Sequence, residues 1–163
     1  MNSRMVMAVL LLLAGALEIR AQELKRINLD DASAIGLKIE TDSKVKSEGA
    51  GSVKITTAWP TTVCLGEVTN LNVENCKVVF KAKVKTDLNG TTFLEMWCHL
   101  GGGQFFSKGM NSTASGKGDW KQIEAPFLLQ AGQKPDKLTL NLVINGTGTV
   151  WIDDMVLSKE PLK

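Results

Sequence analysis

Leu138–Leu157 reads LTLNLVINGTGTVWIDDMVL, and the fold follows from it. Leu138, Leu140, Leu142 and Ile144 alternate with Thr139, Asn141, Val143 and Asn145, the period of two of a strand with one apolar face. Asn145-Gly146 tolerates positive φ, so the spacing predicts a reversal there, with Val150 and Ile152 continuing the apolar face on a return strand. At Asp153-Asp154 the alternation breaks and resumes one residue late at Met155 and Leu157, the mark of a β-bulge.

The same alternation recurs outward from this stretch. In Cys76–Lys85, Cys76, Val78, Phe80, Ala82 and Val84 face one way and Lys77, Lys81, Lys83 and Lys85 the other. Asp87–Gly90 (DLNG) predicts a turn into Thr92–Leu100, where Leu94, Met96, Cys98 and Leu100 point inward. Gln22–Asp31, Gly36–Glu40, Ser52–Thr57, Thr62–Val68, Gln104–Lys108 and Trp120–Leu129 supply the other strands, the last interrupted by Pro126. Gly109–Asp119 reads as a polar loop, and no ten-residue stretch of the mature chain sustains a helical period. Eight to ten short strands predict an all-β, antiparallel β-sandwich of the jelly-roll type, with an up-and-down barrel as the alternative.

Of the 163 residues, Met1–Ala21 read as a secretory signal peptide: Arg4 in a positive start, an apolar run from Met5 to Leu17, and a small-residue site after Ala21. That run is too short to span a bilayer comfortably, and the mature chain has no other. Residues 22–163 then form one β-sandwich domain, secreted to the extracellular space or a periplasm. Loss of Arg4, Arg20 and Glu18 leaves 17 basic and 16 acidic residues. Near-neutral charge gives no reason to expect nucleic acid or an acidic membrane as partner. Export permits disulfides, yet Cys64, Cys76 and Cys98 are an odd number. Cys98 reads as a buried free thiol. A Cys64–Cys76 bridge would be worth about 3 kcal/mol, and three buried reduced cysteines are the other reading.

Candidate chemistry sits on the outward side of Thr92–Leu100, which carries Phe93, Glu95, Trp97 and His99. Aromatic faces stack on sugar C–H surfaces while carboxylate, amide and imidazole groups bond hydroxyls. Asn141 and Trp151 join this ligand-binding set if their strand lies in the same sheet, with Trp59, Phe105 or Phe106 as groove walls. Packing of Phe93 and Trp97 beneath a loop is the competing explanation. One histidine and no ligand spacing argue against transition-metal chemistry. Cys98 and His99 point to opposite strand faces and form no dyad. Glu95 paired with Asp153 or Glu124 could make a glycosidase carboxylate pair, but nothing in the sequence sets their spacing, and an enzyme is not expected. The lysine stripe reads as a solvated, edge-protecting face or a surface for an anionic polysaccharide. Asp153 and Asp154 either pin the bulge or serve as metal ligands for a structural calcium ion, helped by Asp30, Asp31 or Glu48. Asn89, Asn111 and Asn145 begin N-x-T sequons.

Three segments carry a family resemblance: Ser47–Thr56 (SEGAGSVKIT), Asp119-Trp120, and Gly148–Leu157 (GTVWIDDMVL). In that order they resemble jelly-roll carbohydrate-binding modules of the galactose-binding-like fold, over most of residues 30–158. The resemblance implies non-catalytic binding of a glycan or polysaccharide by a secreted protein, and a structural calcium near the closing acidic pair. The chain departs from such modules in having no tyrosine, and it reads as a lone module without an attached catalytic domain. The other function class is a structural or protein-interaction domain whose partner is a cell-envelope protein.

Overall fold

A computed structural model describes residues 21–27 and 37–162. The expected leader, apart from Ala21, lies outside them, as do Asp30 and Asp31. Among the described residues there are eight strands and no helix. They are β1 (Gln22–Arg26), β2 (Lys38–Asp42), β3 (Ser52–Thr57), β4 (Thr61–Thr69), β5 (Cys76–Leu100), β6 (Gly103–Lys108), β7 (Ala114–Leu129) and β8 (Lys137–Pro161).

The two 25-residue strands, β5 and β8, organise the rest. They pair antiparallel from Cys76↔Pro161 to His99↔Lys137. A straight strand of that length would span about 80 Å, whereas a domain of this size has a radius of gyration of roughly 14 Å. The pair must therefore bend, and the sheet folds over itself into a sandwich. Even-numbered residues of β5 from Cys76 to Cys98 fill one core, as do Leu138–Ile144, Val150 and Ile152 of β8. In the first layer β4 and β6 flank the start of β8 and the end of β5. In the second layer β2–β3 and β1 lie beside the end of β8, and β7 lies beside the start of β5.

The reversals expected at Asp87–Gly90 and Asn145-Gly146 do not occur. Both Asn-Gly pairs lie within continuous strands and face one another, with Gly90 opposite Gly146. A Cβ on Gly90 would stand 2.2 Å from the Asn145 carbonyl oxygen, and one on Gly146 would stand 2.2 Å from that of Asn89. The glycines permit close strand passage where the sheet bends.

The bulge is where the sequence places it. Ala82 faces the extra residue, Asp154 takes φ 48°, and β8 changes neighbour from β3 to β1. Gly109–Asp119 is only half a loop, because Ala114–Asp119 belong to β7. Pro126 sits within β7 opposite Val79, tolerated because among the described residues β7 has a ladder on one side only.

Candidate functional site

The outer face of the first layer gathers the polar and aromatic residues. Strand register fixes its rows: Glu67, Thr139, Trp97 and Phe106 in one, and Cys64, Asn141, Glu95 and Lys108 in the next. Lys137, His99 and Gln104 form a third. Glu95, Trp97, His99 and Asn141 are thus brought together as expected. Phe93 shares their strand face but is only 4% exposed, so no ligand reaches it.

Glu95 is the hub. One carboxylate oxygen accepts hydrogen bonds from Trp97 Nε1 at 2.7 Å and Asn141 Nδ2 at 3.2 Å. The other lies 3.7 Å from Lys108 Nζ. Glu95 and Trp97 stand two residues apart on one strand face, so the indole N–H reaches back along the strand to the carboxylate. At 6% exposure, Glu95 is a positioning group more than a surface acid. Trp97 packs against Phe106 with ring centroids 5.3 Å apart and planes tilted by 39°, a stable aromatic geometry. Lys108 Nζ lies 5.3 Å from the Phe106 ring centre. Phe106 is 56% exposed, so the platform is open to solvent. Lys137 bonds Glu67 at 2.7 Å and, with help from Thr139, holds that carboxyl below its ordinary range.

Phe106 and Lys108 were legible through one signal. Gly101 and Gly102, with φ of 56° and 80°, make a two-residue hairpin turn pairing Leu100 with Gly103. Counting back from that turn sets Phe106 opposite Trp97 and Lys108 opposite Glu95. Glu67 had no such signal, since a register shift between Cys64 and Gly66 decides its row.

Trp151 does not join this group. It lies ten residues beyond Asn141 on β8, past the bend, between Lys54 and Lys85 on the outer face of the second layer. Its Nε1 donates to Asp42 at 3.0 Å. Trp59 is exposed in the loop before β4, beyond the end of the sheet away from Trp97.

Nor are the glycosidase-like pairs assembled. Glu124 faces Lys81 on the second layer and Asp153 is buried at the bulge, while Glu95 belongs to the first layer. Asp153 is spent on backbone: Oδ2 accepts from the Ser47 and Glu48 amides at 2.8 and 3.0 Å, and Oδ1 from that of Asp154 at 2.8 Å. Asp154 bonds Arg26 at 2.5 Å and lies 3.3 Å from Lys83. A calcium shell needs six to eight oxygens and repels cations. Among the described residues no three of His, Cys, Asp and Glu gather for a metal. As arranged, the acidic pair fits the bulge-pinning reading and does not fit a calcium ion.

The lysine stripe is neutralised. Lys77 pairs with Glu160, Lys81 with Glu124 and Glu160, Lys83 with Glu48 and Asp154, and Lys85 with Asp119. Such a ladder leaves little unpaired charge for an anionic polymer.

No protein-family profile and no curated protein matches the sequence. Solved structures do match, and the likeness is to a jelly-roll β-sandwich fold that several carbohydrate-binding modules have. The C-terminal family 22 module of a Clostridium thermocellum xylanase superposes with TM-score 0.59 at 11% identity, over 83% of this chain and 93% of that one. A xylan-binding domain from Paenibacillus barcinonensis gives 0.58 at 12% identity, over 89% and 96%. A family 16 carbohydrate-binding module gives 0.55 at 11%, over 77% and 89%. At these identities the likeness is one of fold.

Proposed function

We propose that the protein is a secreted, non-catalytic module that binds an uncharged polysaccharide on the outer face of its first layer. The observation carrying this reading is the pair of half-buried Trp97 and exposed Phe106, whose indole is held by the buried Glu95–Asn141 network. An indole fixed in advance presents its ring without losing freedom on binding. Thr139, His99 and Gln104 supply hydroxyl-bonding groups around it, while buried Asn141 acts through Glu95. Lys108 and Lys137 each lie beside a carboxylate, so the face is charge-balanced and suits an uncharged sugar. Glu95 is committed to three neighbours, which supports binding over acid–base work. Secretion rests on the leader read in residues 1–21, and the carbohydrate-binding neighbours support the ligand class at the level of fold.

The test is retention in gels containing xylan, mixed-linkage β-glucan, galactomannan or pectin. The folded protein should be slowed by an uncharged member, and Trp97→Ala should weaken that interaction at least tenfold, about 1.4 kcal/mol. Should Trp97→Ala unfold, Phe106→Ala removes an exposed ring and keeps the test open. A folded protein that no polymer slows would overturn the reading in favour of a protein-binding envelope domain.

A further inference from the structure

The second layer carries an aromatic site of its own. Inward residues of β8 keep even numbering from Leu138 to Ile152, so odd-numbered residues point outward along that whole stretch. Because the strand crosses from one layer to the other, Asn141 and Trp151 emerge on opposite sides of the molecule. No single sugar spans both. Trp151 is half-buried and held like Trp97: its indole N–H bonds a carboxylate that is itself tied down. Asp42 Oδ2 takes the indole while Oδ1 accepts the Lys44 and Val45 amides at 2.9 and 3.0 Å. These bonds, that of Val45 foremost, hold the Asp42 carboxyl below its ordinary range.

Around the ring lie groups suited to hydroxyls. Lys54 Nζ stands 6.0 Å from the ring centre. One pleat along, the Thr56 and Thr149 hydroxyls meet at 3.2 Å in an exposed pair. Trp120, also half-buried, occupies the irregularity of β7 opposite Lys85, two strands from Trp151. Two strand spacings are about 10 Å, the reach of a short oligosaccharide lying across the sheet.

We propose that Trp151, with Thr149, Thr56 and Lys54, forms a second glycan-binding site on the face opposite Trp97, making the protein bivalent. The inference rests on the first site being a glycan site. Two sites facing apart cannot grip one short stretch of polymer, so they join separate chains or distant parts of one chain. The predicted activity is cross-linking of polysaccharide.

The experiment mixes the full mature chain with soluble xylan, β-glucan and galactomannan, and reads light scattering beside retention in gels. Wild-type protein should both be retained and scatter. Trp97→Ala and Trp151→Ala should each keep only the weakened retention that one remaining site gives and lose at least tenfold in scattering, and the double variant should lose both. Thr56→Arg, which sets a long side chain over the exposed approach to Trp151, repeats the test without removing a packed ring. If Trp97→Ala abolishes retention while Trp151→Ala and Thr56→Arg still scatter, the second site is overturned and the first stands. If retention is lost only with the Trp151 and Thr56 variants, the first site falls, and bivalency falls with it. A folded protein that no polymer retains overturns both.

Discussion

Cys64, Cys76 and Cys98 share one chemistry and sit in different surroundings. Cys98 is fully buried in the core, where desolvation pushes its thiol up to about 11. Cys76 is buried at the start of β5 and is also raised by desolvation, whereas Cys64 is half-exposed on the outer face beside Asn141. All three are free, so the bridge weighed for Cys64 and Cys76 is not formed. A thiol reacts as thiolate and only where reagent reaches it. Iodoacetamide should therefore modify one cysteine in the native protein, Cys64, and three after denaturation, as mass spectrometry of the digest would show. Modification of Cys76 or Cys98 in the native protein would contradict these burials. Linkage adds a second consequence. Cys98 is raised in the folded state, so its contribution is intact below about pH 9 and disappears as pH climbs toward 11. Cys98→Ala should flatten that alkaline decline.

At the level of elements, the strands were legible where burial follows a period of two, as in Cys76–Lys85 and Ser52–Thr57, broken only at buried Val79 and Ser52. The two long strands were not, because Asn-Gly is equally good chemistry for a hairpin and for a close crossing. What decides between them is the residue opposite, and sequence does not show that Gly90 faces Gly146. Gly146→Ala tests the crossing: its Cβ would meet the Asn89 backbone at 2.2 Å, and backbone cannot rotate aside as a side chain would. We expect a loss of roughly 3 kcal/mol, or about 6–12 °C in Tm for a domain of this size. Gly116 has open space around its Cβ position but a φ of 65°, so Gly116→Ala should cost only about 1–2 kcal/mol. Equal losses in thermal melts would mean that steric contact at the crossing is unimportant. The bulge gives a parallel test. Asp153→Ala leaves the Ser47, Glu48 and Asp154 amides without their acceptor, a cost of about 2–4 kcal/mol. Chelator should leave the wild-type Tm unchanged. A fall restored by calcium would show that the acidic pair holds an ion after all.

For the whole molecule, charge is organised as local pairs, which explains why composition said little about partners. Sequence exposed the lysine stripe, but the opposing carboxylates come from β7, β8 and the loop before β3, and only the fold assembles them. Glu160 is held down first by Lys77, Glu67 by Lys137, Asp119 by Lys85, and Asp42 by the Val45 amide. Each of these carboxyls is lower in the folded protein than in the unfolded chain. Their stabilisation is therefore present above the unfolded value near pH 4 and drains away as pH falls through the lower folded values. Most of the pairs are exposed, and an exposed pair contributes little on its own. The expected profile is a Tm nearly level between about pH 5 and 8, declining progressively below about pH 4. Salt near 1 M, where screening reaches roughly 3 Å, should lower the plateau by a few degrees at most. Asp42 offers the sharper contrast, because its partners are backbone amides and an indole that salt screens poorly. Asp42→Asn should lower the plateau in high and low salt alike, whereas Glu160→Gln should matter only in low salt. If the two variants respond identically to salt, the division between screened surface pairs and a fixed Asp42–Trp151 anchor is wrong. The second aromatic face would then lack the rigidity argued for it.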